Sequence, residues 1–145
     1  MLIDDIKAYL DGKIKADTDL KGTIGIKEEY PYGDRPTPPE ILLSVFDNTE
    51  LETATTFEGE VTATVLLQVI PMANSMTIGG KKYNAQKSCS ILSDKICSWF
   101  DKQTIRAGVP KIINSRRIQW SSAVPYEFGT KAYYSILRFT LTVNK

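Results

Sequence analysis

The spacing of apolar and polar positions divides the chain into seven periodic segments. Leu2, Ile3, Ile6, Tyr9, Leu10 and Ile14 follow the i, i+3, i+4 spacing that predicts an amphipathic helix over 2–14. Asp4 and Asp5 suit the positive end of its dipole, and Gly12 weakens its last turn. Ile24 and Ile26 alternate in a short strand at 21–29, and 40–47 reads as a buried strand. Between them, residues 30–39 hold four prolines and form a loop. The strongest strand signal is 57–70, where Phe57, Val61, Ala63, Val65, Leu67 and Val69 alternate with Glu58, Glu60, Thr62 and Thr64. Leu66 and Ile70 make its second face apolar too, so this strand begins exposed and ends buried on both sides. Fully extended, it would reach about 46 Å, longer than the roughly 40 Å expected for the whole domain. It must bend, or project with 41–47 as an arm tipped by the polar, acidic segment 48–56.

Gly79-Gly80 marks a turn, and Asn84 caps a second helix over 85–105 with Ala85, Cys89, Leu92, Ile96, Trp99 and Phe100 on its apolar face. Gly108 and Pro110 end it. Two strands follow, 112–121 with Ile112, Ile118 and Trp120, and 132–143 with Tyr133, Leu137, Phe139, Leu141 and Val143 on one side. The order α-β-β-β-α-β-β predicts a single α+β domain over 1–145: a mainly antiparallel five-stranded sheet with two helices packed on it.

Composition fits that reading. A chain of 145 residues with 42% apolar and 24% charged residues can bury a sizeable core without metal or disulfide. The longest apolar run, around Val65–Ile70, is too short to span a bilayer, and the acidic N-terminus is unlike a secretory signal. Both point to a soluble chain in the cytoplasm. Cys89 and Cys97 lie eight positions apart on one helix, about 12 Å, beyond the roughly 7 Å limit of a disulfide, which leaves two free thiols.

Charge is nearly balanced at +1 but unevenly placed. Residues 1–72 carry 6 Lys and Arg against 14 Asp and Glu, and residues 73–145 carry 12 against 3. Two readings are open: the charges mix over one domain surface, or they form opposite faces that favour head-to-tail association of identical subunits. Arg106, Lys111, Arg116, Arg117 and Lys131 likewise read either as solvated charge or as an interface with acidic groups. Tyr30, Tyr32, Tyr126 and Tyr134 serve either rim packing or contacts.

Catalytic signals are weak. The chain has no histidine, hence no usual general base or zinc set, and its glycines do not form a phosphate-binding fingerprint. A restriction-type nuclease would need a strand acid followed by Asp/Glu-x-Lys. Asp19-Leu20-Lys21 has no acidic strand before it, Asp5-Ile6-Lys7 lies in a helix, and Glu58 and Glu60 lack the lysine. The expectation is a non-enzyme without cofactor or metal.

Four segments, "MLIDDIKAYLDGKI", "FEGEVTATVLLQVI", "AQKSCSILSDKICSWF" and "YYSILRFTLTV", together resemble the tail-terminator or tail-completion proteins of long-tailed phages and prophages, some of them called minor capsid proteins. The resemblance covers essentially the whole chain and rests on element order and amphipathicity. It implies a virion structural protein of the tail or neck, present in the host cytoplasm during assembly. Such proteins form hexameric rings that cap the tail tube, end its polymerisation and dock to the head connector, while DNA passes the lumen without specific binding. In that scheme the acidic residues Asp47, Glu50, Glu52, Glu58 and Glu60 would reach a neighbour, the tube end or the lumen. Lys111, Arg116 and Arg117 would meet the acidic half of the adjacent subunit. A head–tail joining protein of similar architecture and a binding module unrelated to phages are the alternatives.

Overall fold

Helix α1 (Leu2–Ala16) buries Ile6, Tyr9, Leu10 and Ile14 along one stripe, and Lys13 and Lys15 in its last turn favour the negative end of its dipole. It runs two residues past the expected end despite Gly12. The computed structural model describes residues 2–20, 24–28, 39–47, 60–72, 74–121, 123–125 and 133–144. After α1 come β1 (Gly25–Glu28), β2 (Glu40–Asp47), β3 (Glu60–Ile70), β4 (Ser75–Ile78) and β5 (Lys81–Asn84). Helices α2 (Ala85–Trp99) and α3 (Lys102–Gly108) follow, then β6 (Ile112–Trp120), β7 (Val124–Pro125) and β8 (Tyr133–Asn144).

The fold is α+β, with three differences from expectation. First, the main sheet is mixed: its order is β1-β2-β3-β8-β6, with β7 beside the start of β8, and β1 runs parallel to β2. The 11 residues between Glu28 and Glu40 approach the dozen or so that a parallel connection needs. Second, the described residues hold three helices, not two. The expected helix over 85–105 breaks at Phe100, and Asp101 leaves helical geometry with ψ of 139° before its carbonyl accepts the Ile105 N–H. Third, β4 and β5 form a separate hairpin. Its turn residues Gly79 and Gly80 have φ of +63° and +77°, the left-handed pair that a two-residue hairpin requires.

One sheet face carries the core. Ile41 and Leu43 of β2, Val65, Leu67 and Val69 of β3, Leu137, Phe139 and Leu141 of β8 and Ile112 of β6 are buried in one cluster with the helix stripes. Phe100 stacks on Phe139 with ring centres 4.5 Å apart, and Tyr9 meets Phe100 edge-on at 6.5 Å. The Tyr9 hydroxyl donates to the Trp99 carbonyl. Small residues let α2 sit close to the sheet: Ser88, Cys89 and Ser93 are buried, and the Cys89 and Ser135 side chains meet at 3.0 Å. Both cysteines are free; Cys89 is buried, whereas Cys97 is half-buried. Phe46, expected in a buried strand, is 49% exposed because it lies on the opposite face. There Leu42, Thr64, Leu66, Arg138 and Thr140 are half-buried, without a described helix over them.

Ion pairs between distant segments fix α1 to the rest. Lys95 of α2 reaches both Asp17 (3.1 Å) and Asp19 (3.2 Å) just after α1. The Asp17 carboxylate also accepts the N–H groups of Asp19 and Leu20. Burial pushes Asp17 upward, but the Lys95 ammonium and these N–H groups outweigh it and hold the carboxyl below 3.8. Burial likewise works against the Lys95 charge, and the two aspartates outweigh it, raising Lys95 above 10.5.

Two predictions follow from this packing. A Cβ at Gly108 would collide with the Tyr9 ring, so Gly108→Ala should destabilise by about 1–3 kcal/mol. A thermal melt should show this as a loss of about 3–10 °C. Lys95→Met should lower Tm by an amount that depends on pH. The depressed Asp17 contributes stability above 3.8 that is lost as pH falls through its folded value. The raised Lys95 contributes below 10.5 and loses that contribution as pH rises through its folded value. The gap in Tm between wild type and variant should therefore be widest near neutrality and close toward both extremes. An equal gap at every pH would contradict the ion-pair account.

Candidate assembly interface

Strand β6 ends the sheet on one side, bonded to β8 and to no other described strand. Its alternation is interrupted twice, by irregularities between Ile112 and Asn114 and between Arg117 and Gln119. Each such bulge transfers the following residues to the other face. The two shifts offset each other for Trp120, which returns to the helix face with Ile112, yet of Ile112, Ile118 and Trp120 only Ile112 is buried. Ile112 is buried opposite Val143, Ile118 falls at the second bulge, and Trp120 lies opposite Leu137. From Arg116 to Trp120 five successive residues are exposed, with Ile118 at 48% and Trp120 at 46%.

The two arginines point to opposite sides of the sheet. Arg116 is opposite Thr140, on the face without helices, and makes no ion pair with the described residues. Arg117 is opposite Phe139, on the helix side. Its guanidinium carbon lies 4.8 Å from the centre of the Trp120 ring, and its Nη1 donates weakly to Cys97 Sγ at 3.8 Å. Burial pushes the Cys97 thiol up, and Arg117 only partly counters this. Cys97, Phe100, Asp101, Lys102, Ser115 and Arg117 line a shallow cleft where α2 gives way to α3.

Lys111 is already engaged within the subunit. Its ammonium contacts Asp5 of α1, and that hydrogen bond holds the Asp5 carboxyl below 3.8. Together with Lys95, it joins the basic second half of the chain to the acidic first half inside one domain, so part of the charge asymmetry is consumed by folding. The pair closes a cleft lined by Tyr9, Val109 and Pro110, where burial raises the Tyr9 hydroxyl to about 12.

The expected acidic contact residues are only partly placed. Asp47 ends β2 in register with Ala63, and Glu60 opens β3 in register with Asn144. The N–H of Asn144 donates to the Lys111 carbonyl at 2.8 Å, so Glu60 and Lys111 flank Asn144 on either side of β8 at one end of the sheet. Arg116 and Arg117 lie five and six residues further, about 16–20 Å along β6. Glu50, Glu52 and Glu58 lie outside the described residues, as do Tyr30, Tyr32, Tyr126 and Lys131. Tyr134 is half-buried in β8.

Of the nuclease-like positions, Asp5 sits in α1 and Asp19 in the turn after it, each paired with a lysine; Lys21 lies outside the described residues. Among the described residues no three carboxylates or thiols gather as a metal site, and no helix is long and apolar enough to cross a membrane. The exposure of Trp120 has no local sequence signal, because its alternation with Ile118 resembles that of a buried strand. The chain matches no protein-family model and no curated protein sequence.

Proposed function

We propose that this chain is a phage virion assembly protein without enzymatic activity, whose copies form a ring, hexameric by its resemblance to tail terminators. The ring caps the tail tube, ends its polymerisation and presents a surface to the head connector, with DNA passing through the lumen. The observation that carries this reading is a sheet with two different open edges. Among the described strands, β1 has a partner only in β2, and β6 only in β8. Two unlike edges on one subunit suit a heterologous, head-to-tail contact, the kind that closes into rings when the rotation per subunit allows. The β6 edge carries Arg116 and Arg117, while 14 of the 17 acidic residues belong to the first half of the chain. A head–tail joining protein would use the same contact and differ in its docking partner.

Sedimentation velocity over a range of protein and salt concentrations, with negative-stain microscopy, tests the self-association. Exposed charge pairs are screened within about 8–10 Å near physiological ionic strength, so association should weaken as salt rises. The double variant Arg116→Glu, Arg117→Glu should keep its circular dichroism and Tm but lose rings. Rings of normal size from that variant would remove both arginines from the contact.

A further inference from the structure

The β6–β7 edge carries exposed apolar residues beside its arginines. Of the five large apolar side chains most exposed among the described residues, three are Ile118, Trp120 and Val124. They follow one another along one edge of β8: Trp120 is in register with Leu137 on the helix face, and Val124 with Tyr134 on the opposite face. The Ser121 N–H, donating to Ile136, carries the pairing on between them. An edge strand with unpaired outward N–H and C=O groups and exposed apolar residues is a template for another chain unless something blunts it. Here the second bulge presents Ile118 at the edge rather than hiding it. Trp and Arg are also the residue types most often found at the energetic centre of protein contacts. The Arg117 guanidinium lies over the Trp120 ring, which holds an aromatic face and a positive charge together at one point.

Resting on the ring reading above, we infer that Trp120, with Ile118 and Val124 beside it, anchors the contact with a second copy of this chain, and that the second copy presents its β1 edge. Charge complementarity identifies this occupant. Arg116, and Lys102 and Arg106 of the adjacent α3, form no ion pair with described residues. At the other edge of the sheet Lys27 is engaged with Glu40 at 3.0 Å, and Glu28 is exposed and has no ion-pair partner among the described residues. A β1 edge set beside the next copy's β6 edge places Glu28 against a basic neighbour and covers the indole.

Size sets the expected strength. Nine residues of β6 span about 30 Å, and a strip about 10 Å wide along it amounts to roughly 300 Å², well under the approximately 800 Å² per partner of a standard interface. A single contact is therefore weak, and closure of a ring, which gives every subunit two contacts, holds the assembly together.

Fluorescence reads the anchor directly. The chain has two tryptophans, so in the Trp99→Phe variant Trp120 is the sole emitter. Its emission should move to shorter wavelength with protein concentration, at the same midpoint as the sedimentation coefficient. Trp120→Ser in the otherwise natural chain should raise that midpoint tenfold or more with Tm unchanged. Association without an emission shift, or with Trp120→Ser as competent as wild type, overturns the anchor and leaves the ring reading standing. A chain that stays monomeric at its highest soluble concentration in low salt overturns the choice of a second copy as the occupant. Whether that chain still caps tail tubes then decides the ring reading separately.

Discussion

The stack of Phe100 on Phe139 is the contact on which the layout depends. It fixes the point where α2 stops and the chain turns into α3, and it places the Tyr9 edge of α1 against the same rings. Because α3 has only seven residues and ends at Gly108 beneath Tyr9, helical cover thins along β6 to the contact of Cys97 with Arg117. Ile112 is buried, while Arg116 through Trp120 are exposed. Aromatic packing in the core thus determines which part of the sheet edge stays accessible.

Charge is used in two ways. Lys95 and Lys111 spend theirs inside the domain, drawing α1 and the turn after it onto α2 and the start of β6. Such partly exposed pairs add little stability individually, but they join segments far apart in sequence and fix the orientation of α1. The arginines of β6 remain available after folding. Placed on opposite faces of one strand, they flank the edge rather than forming a patch on either side, a distribution suited to a partner that meets the edge itself.

The sequence reveals those parts whose periodicity is strong and uninterrupted. The stripe of α1, the alternation of β3 and β8 and the Asn84 cap, whose side chain accepts the Lys87 N–H at 2.7 Å, are each legible in local order. The break between α2 and α3 is hidden because Phe100 and Ile105 continue an apparent helical face, and the cap at Asp101 lies within it. Strands β4 and β5 are only four residues long, with β5 mostly exposed, and the parallel pairing of β1 is a non-local choice without a sequence signal. At the candidate interface, charge singles out Arg116 and Arg117, but the first bulge decides which faces they take, and Trp120 is exposed although its register puts it on the helix face. The engagement of Lys111 by Asp5, 106 positions away, depends on tertiary structure alone.

The central claim is that copies joined edge to edge close a ring on the tail tube. The most direct measurement is negative-stain microscopy of tail-tube protein polymerising with and without this chain. The account predicts a ring at the tube end and arrested growth once the chain is added. Tubes that elongate equally in its presence, with bare ends, would contradict it.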